Sequence, residues 1–184
     1  TELMVVEGDA LIYHDTIEVG GGNIAAELAM GLDISLENAE KIKRQYVYGI
    51  ATPDETYDVA AAEGGKPMSF TREQVAIIEP EVDKIADSIR TSIEDSGIRL
   101  GNWSHYYMTG GGLSFNRGGR DYLSTKLGSP VRETPKRTTK LNSHAYSSTL
   151  GLMNLIIDTI EQQHQPSAGV GGAIKDFFRS LLGG

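Results

Sequence analysis

The chain has 184 residues, a formal net charge of −8 and no cysteine, which excludes disulfides and thiolate metal sites and argues against general nucleic-acid binding. Its 39% hydrophobic content can fill a sizeable core, and no apolar run approaches the roughly 20 residues of a spanning helix. The lack of cysteine fits a reducing compartment. The sequence opens on Thr1 and runs almost directly into a strand with no basic leader, so it is expected to be a fragment of a longer protein. Glycines cluster at 20–22, 64–65, 110–112, 118–119, 171–172 and 183–184.

Leu3 to Val6 is a short apolar run, Glu7-Gly8-Asp9 reads as a turn, and Ala10 to Val19 alternates in part, which predicts a β-hairpin. Gly20-Gly21-Gly22 ends it. Asn23 to Met30 then reads as a helix with Ile24, Ala25, Leu28 and Ala29 on one face. Ser35 is placed to cap a second helix, whose stripe is Leu36, Ala39, Ile42 and Tyr46. Glu37, Glu40, Lys41, Lys43 and Arg44 fall opposite, and from the pattern alone they read as a solvated face with local ion pairs.

Thr56 to Ala61 and Lys66 to Phe70 predict a second hairpin around Glu63-Gly64-Gly65. Thr71-Arg-Glu-Gln74 has the capping-box pattern and is expected to open a helix that Glu79-Pro80 breaks or restarts. Val82, Ile85, Ala86, Ile89 and Ile93 form a helical core face that Gly97 terminates. Tyr106-Tyr-Met108 reads as a strand end, stopped by Thr109 and Gly110-Gly111-Gly112, with a short helix to follow at Asp121 to Lys126. This repeats the strand–glycine–helix order of residues 10–30. Glycine backbone can approach a flat or anionic ligand closely, so two such junctions favour a shared ligand over two structural turns.

Pro130 to Glu133 reads as a short strand, and in the loop to Lys140 the cations Arg132, Lys136, Arg137 and Lys140 outweigh Glu133. Ser147 or Ser148 is placed to cap a last core helix with Leu150, Met153, Ile156, Ile157 and Ile160 inside. A glutamine-, proline- and glycine-rich stretch reads as a linker. Beyond it Ile174, Phe177, Phe178, Leu181 and Leu182 recur at helical spacing opposite Lys175, Asp176 and Arg179. Such a segment can fold back on the core, grip a partner or lie in a membrane interface, and the linker argues against the first. His14, His105, His144 and His164 show no metal-ligand spacing, and no serine–histidine pair assembles a nucleophile.

Taken together, these segments resemble the actin-like ATP-binding superfamily, and within it the C-terminal half of the bacterial cell-division family FtsA, over Thr1 to about Asp158 and again in the tail. Val19-Gly-Gly-Gly-Asn-Ile24 resembles the family's VGGxxI turn after the second phosphate hairpin. Ala39-Glu-Lys-Ile-Lys-Arg44 resembles the AEKIK helix shared with MreB and the related helix of the seventy-kilodalton chaperones. Thr109-Gly110-Gly111-Gly112 resembles the superfamily's adenosine motif, and Ile78-Glu79-Pro80 the IIEPR-type junction.

The resemblance implies an α/β fold, an actin-like (ribonuclease H-like) C-terminal lobe with an inserted smaller α+β subdomain. Residues 1–21 and 98–158 would be the larger part, 22–97 the insertion, 159–171 a linker and 172–184 an amphipathic helix. It implies that Gly20 and Gly21 face phosphate, that Glu40 and Lys43 meet ribose or adenine, that Arg44 lies near the ring face, and that Gly110, Gly111 and Gly112 pack on the nucleoside. ATP with Mg²⁺ would be the cofactor of the full-length protein. The implied partners are the tubulin-like FtsZ ring, further copies in a filament, and the inner face of the cell membrane, met by Ile174, Phe177, Phe178, Leu181 and Leu182.

The sequence departs from the family in three ways. Thr1 would be the last threonine of a DxGxxTT turn whose aspartate and glycines are not in this sequence. The first actin-like half is not in it either, and Gly22 stands where the family usually has an acid. With about half of a cleft, this chain is expected not to hydrolyse ATP and to bind it weakly; the full-length protein would be at most a weak ATPase. Two alternatives stay open: a PilM-like pilus-assembly homologue, and a sugar- or acetate-kinase-type enzyme, which would need a catalytic carboxylate across the cleft.

Overall fold

In the computed structural model the first hairpin forms where the alternation predicts it. Strands β1 (Glu2–Glu7) and β2 (Ala10–Thr16) pair antiparallel, and Gly8 turns the chain at φ +60°. The register shifts between Val5 and Val6, so that Ile12 on β2 has no partner across the ladder. The structure describes residues 1–50, 54–60, 66–134 and 143–163. It divides into two compact units, Thr1–Tyr106 with Gly112–Arg132 and Tyr107–Gly111 with Glu133–Gly184.

In the first unit, helices α1 (Gly21–Leu32) and α2 (Leu36–Gln45) pack on each other. The expected start of α1 at Asn23 is corrected. The helix begins at Gly21, because the Asn23 side chain reaches back to the Gly20 N–H at 2.9 Å and draws the glycines into the first turn. Ser35 caps α2 as read, its hydroxyl accepting from the Asn38 N–H at 3.2 Å. The stripe of α2 needs two corrections: Leu36 is 59% exposed, and Lys43, assigned to a solvated face, is 3% exposed.

Strands β3 (Thr56–Val59) and β4 (Met68–Thr71) form the second hairpin, whose expected turn at 63–65 lies outside the described residues. The capping box after β4 exists, with Gln74 Oε1 accepting from the Thr71 N–H at 2.8 Å and the Thr71 hydroxyl facing the Gln74 N–H at 3.4 Å. No helix opens there. The chain turns through 72–77, and helix α3 (Ile78–Asp95) starts later. Proline lacks an N–H and its ring clashes with the carbonyl four residues back, so Pro80 fits only in a first turn, where N–H groups have no intrahelical partner. Helix α3 buries Val82, Ile85, Ala86, Ile89 and Ile93 as the spacing requires, and Gly97 closes it at φ +70°.

Strands β5 (Tyr106–Met108) and β6 (Val131–Glu133) make the third pair, and helix α4 (Gly119–Leu127) packs on α3. In the second unit a short 3₁₀ turn at His144–Tyr146 leads into α5 (Ser147–Gln163). Ser143 caps that turn, rather than Ser147 or Ser148 capping the helix. The expected core face of α5 is also corrected. Leu150, Met153, Ile157 and Ile160 are only half-buried, Ile156 is 49% exposed, and Leu152 and Leu155 are exposed. The turn at 144–146 packs against α5.

The core of the first unit is rich in tyrosine. Tyr46 meets Tyr48 edge-on at 5.1 Å and stacks on Tyr57 at 6.1 Å, while Tyr48 meets Tyr122 at 5.2 Å. Burial pushes all of these phenols up. It is joined at Tyr46 by the hydrogen-bonded Glu79 carboxylate, and at Tyr57 by Glu55, which leaves Tyr57 at about 12. A phenol with a higher pKa folded than unfolded contributes stability below the unfolded value near 10 and loses it as pH rises through the folded one. Stability should therefore be level near neutrality and fall between about pH 10 and 12, by at most ~1.4 kcal/mol per pH unit for each tyrosine. Urea unfolding across that range, with tyrosinate absorbance followed in parallel, checks it. Ionisation that precedes loss of structure would contradict it.

Candidate nucleotide-facing site

The site residues of the first unit converge on the start of α1. Gly20 is the extended residue before the helix and Gly21 its first residue. Gly112 lies directly against Gly21. A Cβ on Gly21 would stand 2.6 Å from the Gly112 Cα and 2.9 Å from its carbonyl oxygen. Only two glycines allow backbone this close. The N-terminus of α1 carries unpaired N–H groups and the positive end of the helix dipole, so an anion is favoured beside it.

Helix α2 presents its charged trio to the same place. The Lys43 ammonium donates to the Gly21 carbonyl at 2.9 Å and pairs with Glu40 at 2.6 Å. Arg44 donates to the other Glu40 oxygen at 2.9 Å and lies over the Phe115 ring, 5.3 Å from its centroid. Partial burial raises the Glu40 carboxyl, but the hydrogen bonds from Lys43 and Arg44 outweigh it and hold the group below the ordinary carboxylate range. Glu40 therefore stays ionised and fixes both cations. Lys43 is in effect a buried charge with two partners, and Arg44 is its half-exposed neighbour.

Gly20, Gly21, Glu40, Lys43, Arg44 and Gly112 are thus in one unit, with direct contacts linking all but Gly20. Gly110 and Gly111 belong to the second unit. There Gly110 adopts φ +90° and donates its N–H to the His144 carbonyl at 3.1 Å, while the Thr109 and Ser147 hydroxyls pair at 2.6 Å. The five apolar residues of the tail lie outside the described residues. Asp15 on β2 accepts a hydrogen bond from the Ser92 hydroxyl on α3.

Pattern reading missed two residues here, Phe115 and Asn116. Phe115 carries Arg44, and the Asn116 amide donates to the Lys43 carbonyl. The one signal for them is the second glycine pair, Gly118-Gly119, which marks 113–119 as a tight loop. The start of α1 is thus closed on one side by the Gly112 backbone, with the Lys43 ammonium held on the Gly21 carbonyl and on Glu40. Among the described residues no group of three or more carboxylates or imidazoles is placed to hold a cation.

Residues 1–151 match the family described as cell division protein FtsA. The FtsA of Bacillus subtilis (strain 168) is 30% identical over 102 residues, covering 53% of this chain and 23% of that protein. The FtsA of Staphylococcus epidermidis is 25% identical over 142 residues, covering 74% of this chain and 30% of that protein. This chain thus spans less than a third of the length of these relatives. A similar solved structure is the ethanolamine utilization protein EutJ from Carboxydothermus hydrogenoformans, with a TM-score of 0.49 and 20% identity over 72% of this chain and 39% of that one.

Proposed function

Because the chain belongs to the FtsA family of actin-like cell-division proteins, we propose that its glycine–lysine cradle binds the adenosine and phosphates of ATP. In this reading the whole protein is a membrane adaptor. It binds ATP with Mg²⁺, assembles with its own copies, and ties a tubulin-like FtsZ ring to the inner face of the cytoplasmic membrane. The observation that carries the nucleotide half is the Lys43 contact to the Gly21 carbonyl, with Gly112 packed on the same glycine. Within the first unit it sets Lys43 of the AEKIK-type helix and Gly112 against Gly21, which supports the reading.

The membrane half rests on the family and on the tail sequence. Full burial of one large apolar side chain contributes about 1.5–3 kcal/mol. Partial immersion of Ile174, Phe177, Phe178, Leu181 and Leu182 therefore supports reversible binding, which many copies in a filament would strengthen by avidity. With Lys175 and Arg179 against Asp176, insertion would be mainly hydrophobic.

ATP titration tests the nucleotide half, and co-sedimentation with anionic vesicles tests the membrane half. The chain as given is compared with Arg44→Ala and with Phe177→Glu/Phe178→Glu. Arg44→Ala should weaken ATP binding about tenfold through loss of its ring-stacking guanidinium, with little loss of stability because the side chain is half-exposed. The double glutamate variant should leave ATP binding intact and abolish pelleting. If ATP affinity is the same in wild type and Arg44→Ala, the nucleotide reading falls. If the tail variant pellets as well as wild type, the membrane reading falls.

A further inference from the structure

We infer that Asn116 is the positioning residue of the nucleotide site, a helix cap supplied from a distant loop that holds Lys43 and Arg44 at the height of Gly112. The inference rests on the nucleotide reading above and adds a residue that neither glycine motif contains.

Helix α2 ends without the usual device. Its last carbonyls need partners, and a left-handed residue normally folds the chain back to supply them. Tyr46, which follows the helix, is instead extended at φ −62°, ψ 133°, and satisfies only the Ile42 carbonyl. The Lys43 carbonyl is taken by the side-chain amide of Asn116, 73 residues away and 7% exposed. One residue type at one place therefore decides where the C-terminal turn of α2 stops.

Three further contacts make the loop 113–119 a strap across that turn. The Tyr48 N–H donates to the Arg117 carbonyl at 2.9 Å. Arg44 lies over Phe115. Gly118, at φ +78°, passes so near Tyr48 that a Cβ would stand 2.7 Å from the Tyr48 carbonyl oxygen. The strap itself is pinned by the Asn116 N–H on the Leu113 carbonyl at 3.0 Å and the Gly119 N–H on the Asn116 carbonyl at 3.1 Å. Because it begins at Gly112, the nucleoside-side glycine and the α2 cations form one rigid piece before any ligand arrives. Asn116 touches no ligand in this scheme. It acts through the Lys43 carbonyl and the Phe115 ring.

The test uses the chain as given, with Asn116→Leu and Asn116→Asp. Leucine is close in size and has no donor. Aspartate keeps the shape but turns an acceptor toward the carbonyl. Two readouts are taken, backbone amide exchange and the affinities for ATP and for tripolyphosphate. Both variants should speed exchange at the Tyr48 amide about tenfold or more while α3 amides such as Ile85 and Ile89 are unchanged. ATP should weaken about tenfold, and tripolyphosphate, which needs only the start of α1, should keep its affinity. Equal weakening of both ligands would reduce Asn116 to a merely structural residue and overturn the inference. So would unchanged exchange at Tyr48. If wild type binds neither ligand, the nucleotide reading fails by itself, and the Tyr48 amide still decides whether the strap exists. Should Asn116→Leu not fold, Asn116→Asp decides through the same readouts.

Discussion

Gly21→Ala is expected to destabilise the protein by about 1–3 kcal/mol and to abolish ATP binding, whereas Gly22→Ala, one position along, should raise stability by up to about 1 kcal/mol. The opposite signs follow from what each new methyl group would meet. At Gly21 it lands 2.6 Å from the Gly112 Cα and 2.9 Å from its carbonyl oxygen, so backbone must move apart on one side or the other. At Gly22 it meets nothing within 4 Å, and alanine is simply the better helix former. Urea unfolding of the two variants, with ATP titration of each, checks the pair. Equal stabilities would mean that the Gly21–Gly112 approach is looser than 2.6 Å implies, and the cradle would lose its support.

Arg72→Leu is expected to cost about 3–5 kcal/mol, a large share of the 5–15 kcal/mol typical of a domain. Arg72 is a mostly buried hub. Its guanidinium pairs with Glu55 at 2.9 Å, donates to the Tyr46 hydroxyl and the Val47 carbonyl at 3.0 Å each, and lies 4.3 Å from the centre of the Tyr46 ring. Leucine would leave the Glu55 carboxylate and the Val47 carbonyl without that partner in a largely dry place. Arg72→Lys should recover less than half of the loss, because an ammonium cannot reproduce the planar fork or stack as well. Chemical denaturation of both variants is the measurement. A loss under 1 kcal/mol for leucine would show the hub to be solvated, as at an exposed ion pair.

Much of the local architecture was legible in the sequence, since it depends on neighbours in the chain. The two hairpins, the Ser35 cap and the apolar face of α3 are written in period-two and period-3.6 patterns. The family resemblance added what the pattern cannot hold. It singled out Glu40, Lys43 and Arg44, which the pattern alone assigns to solvent. What stayed hidden depends on distant partners. Lys43 is buried because the Gly21 carbonyl receives its ammonium, and a binary pattern counts every lysine as surface. Asn116 and Arg72 likewise act on residues far along the chain. The capping box at Thr71 misled for another reason: its hydrogen bonds are present, but Pro80 set the helix start seven residues later. The apolar spacing of α5 was read as a core face, and its residues are half-buried or exposed instead, because spacing says which residues share a face and not what covers it.

The irregular register of the first hairpin also bears on solubility. Met4, Val6, Leu11 and Ile12 are all exposed, and strands of this composition are natural templates for cross-chain pairing. A flat ladder would offer an incoming strand an unbroken row of backbone groups. The shift between Val5 and Val6 breaks that row and sharpens the local twist, so Ile12 stands unmatched where a regular partner would have to continue. Glu2 and Glu7 place a like charge at each end of β1. The bulge and the two carboxylates together hinder growth of an aggregate from this edge without removing the apolar side chains themselves.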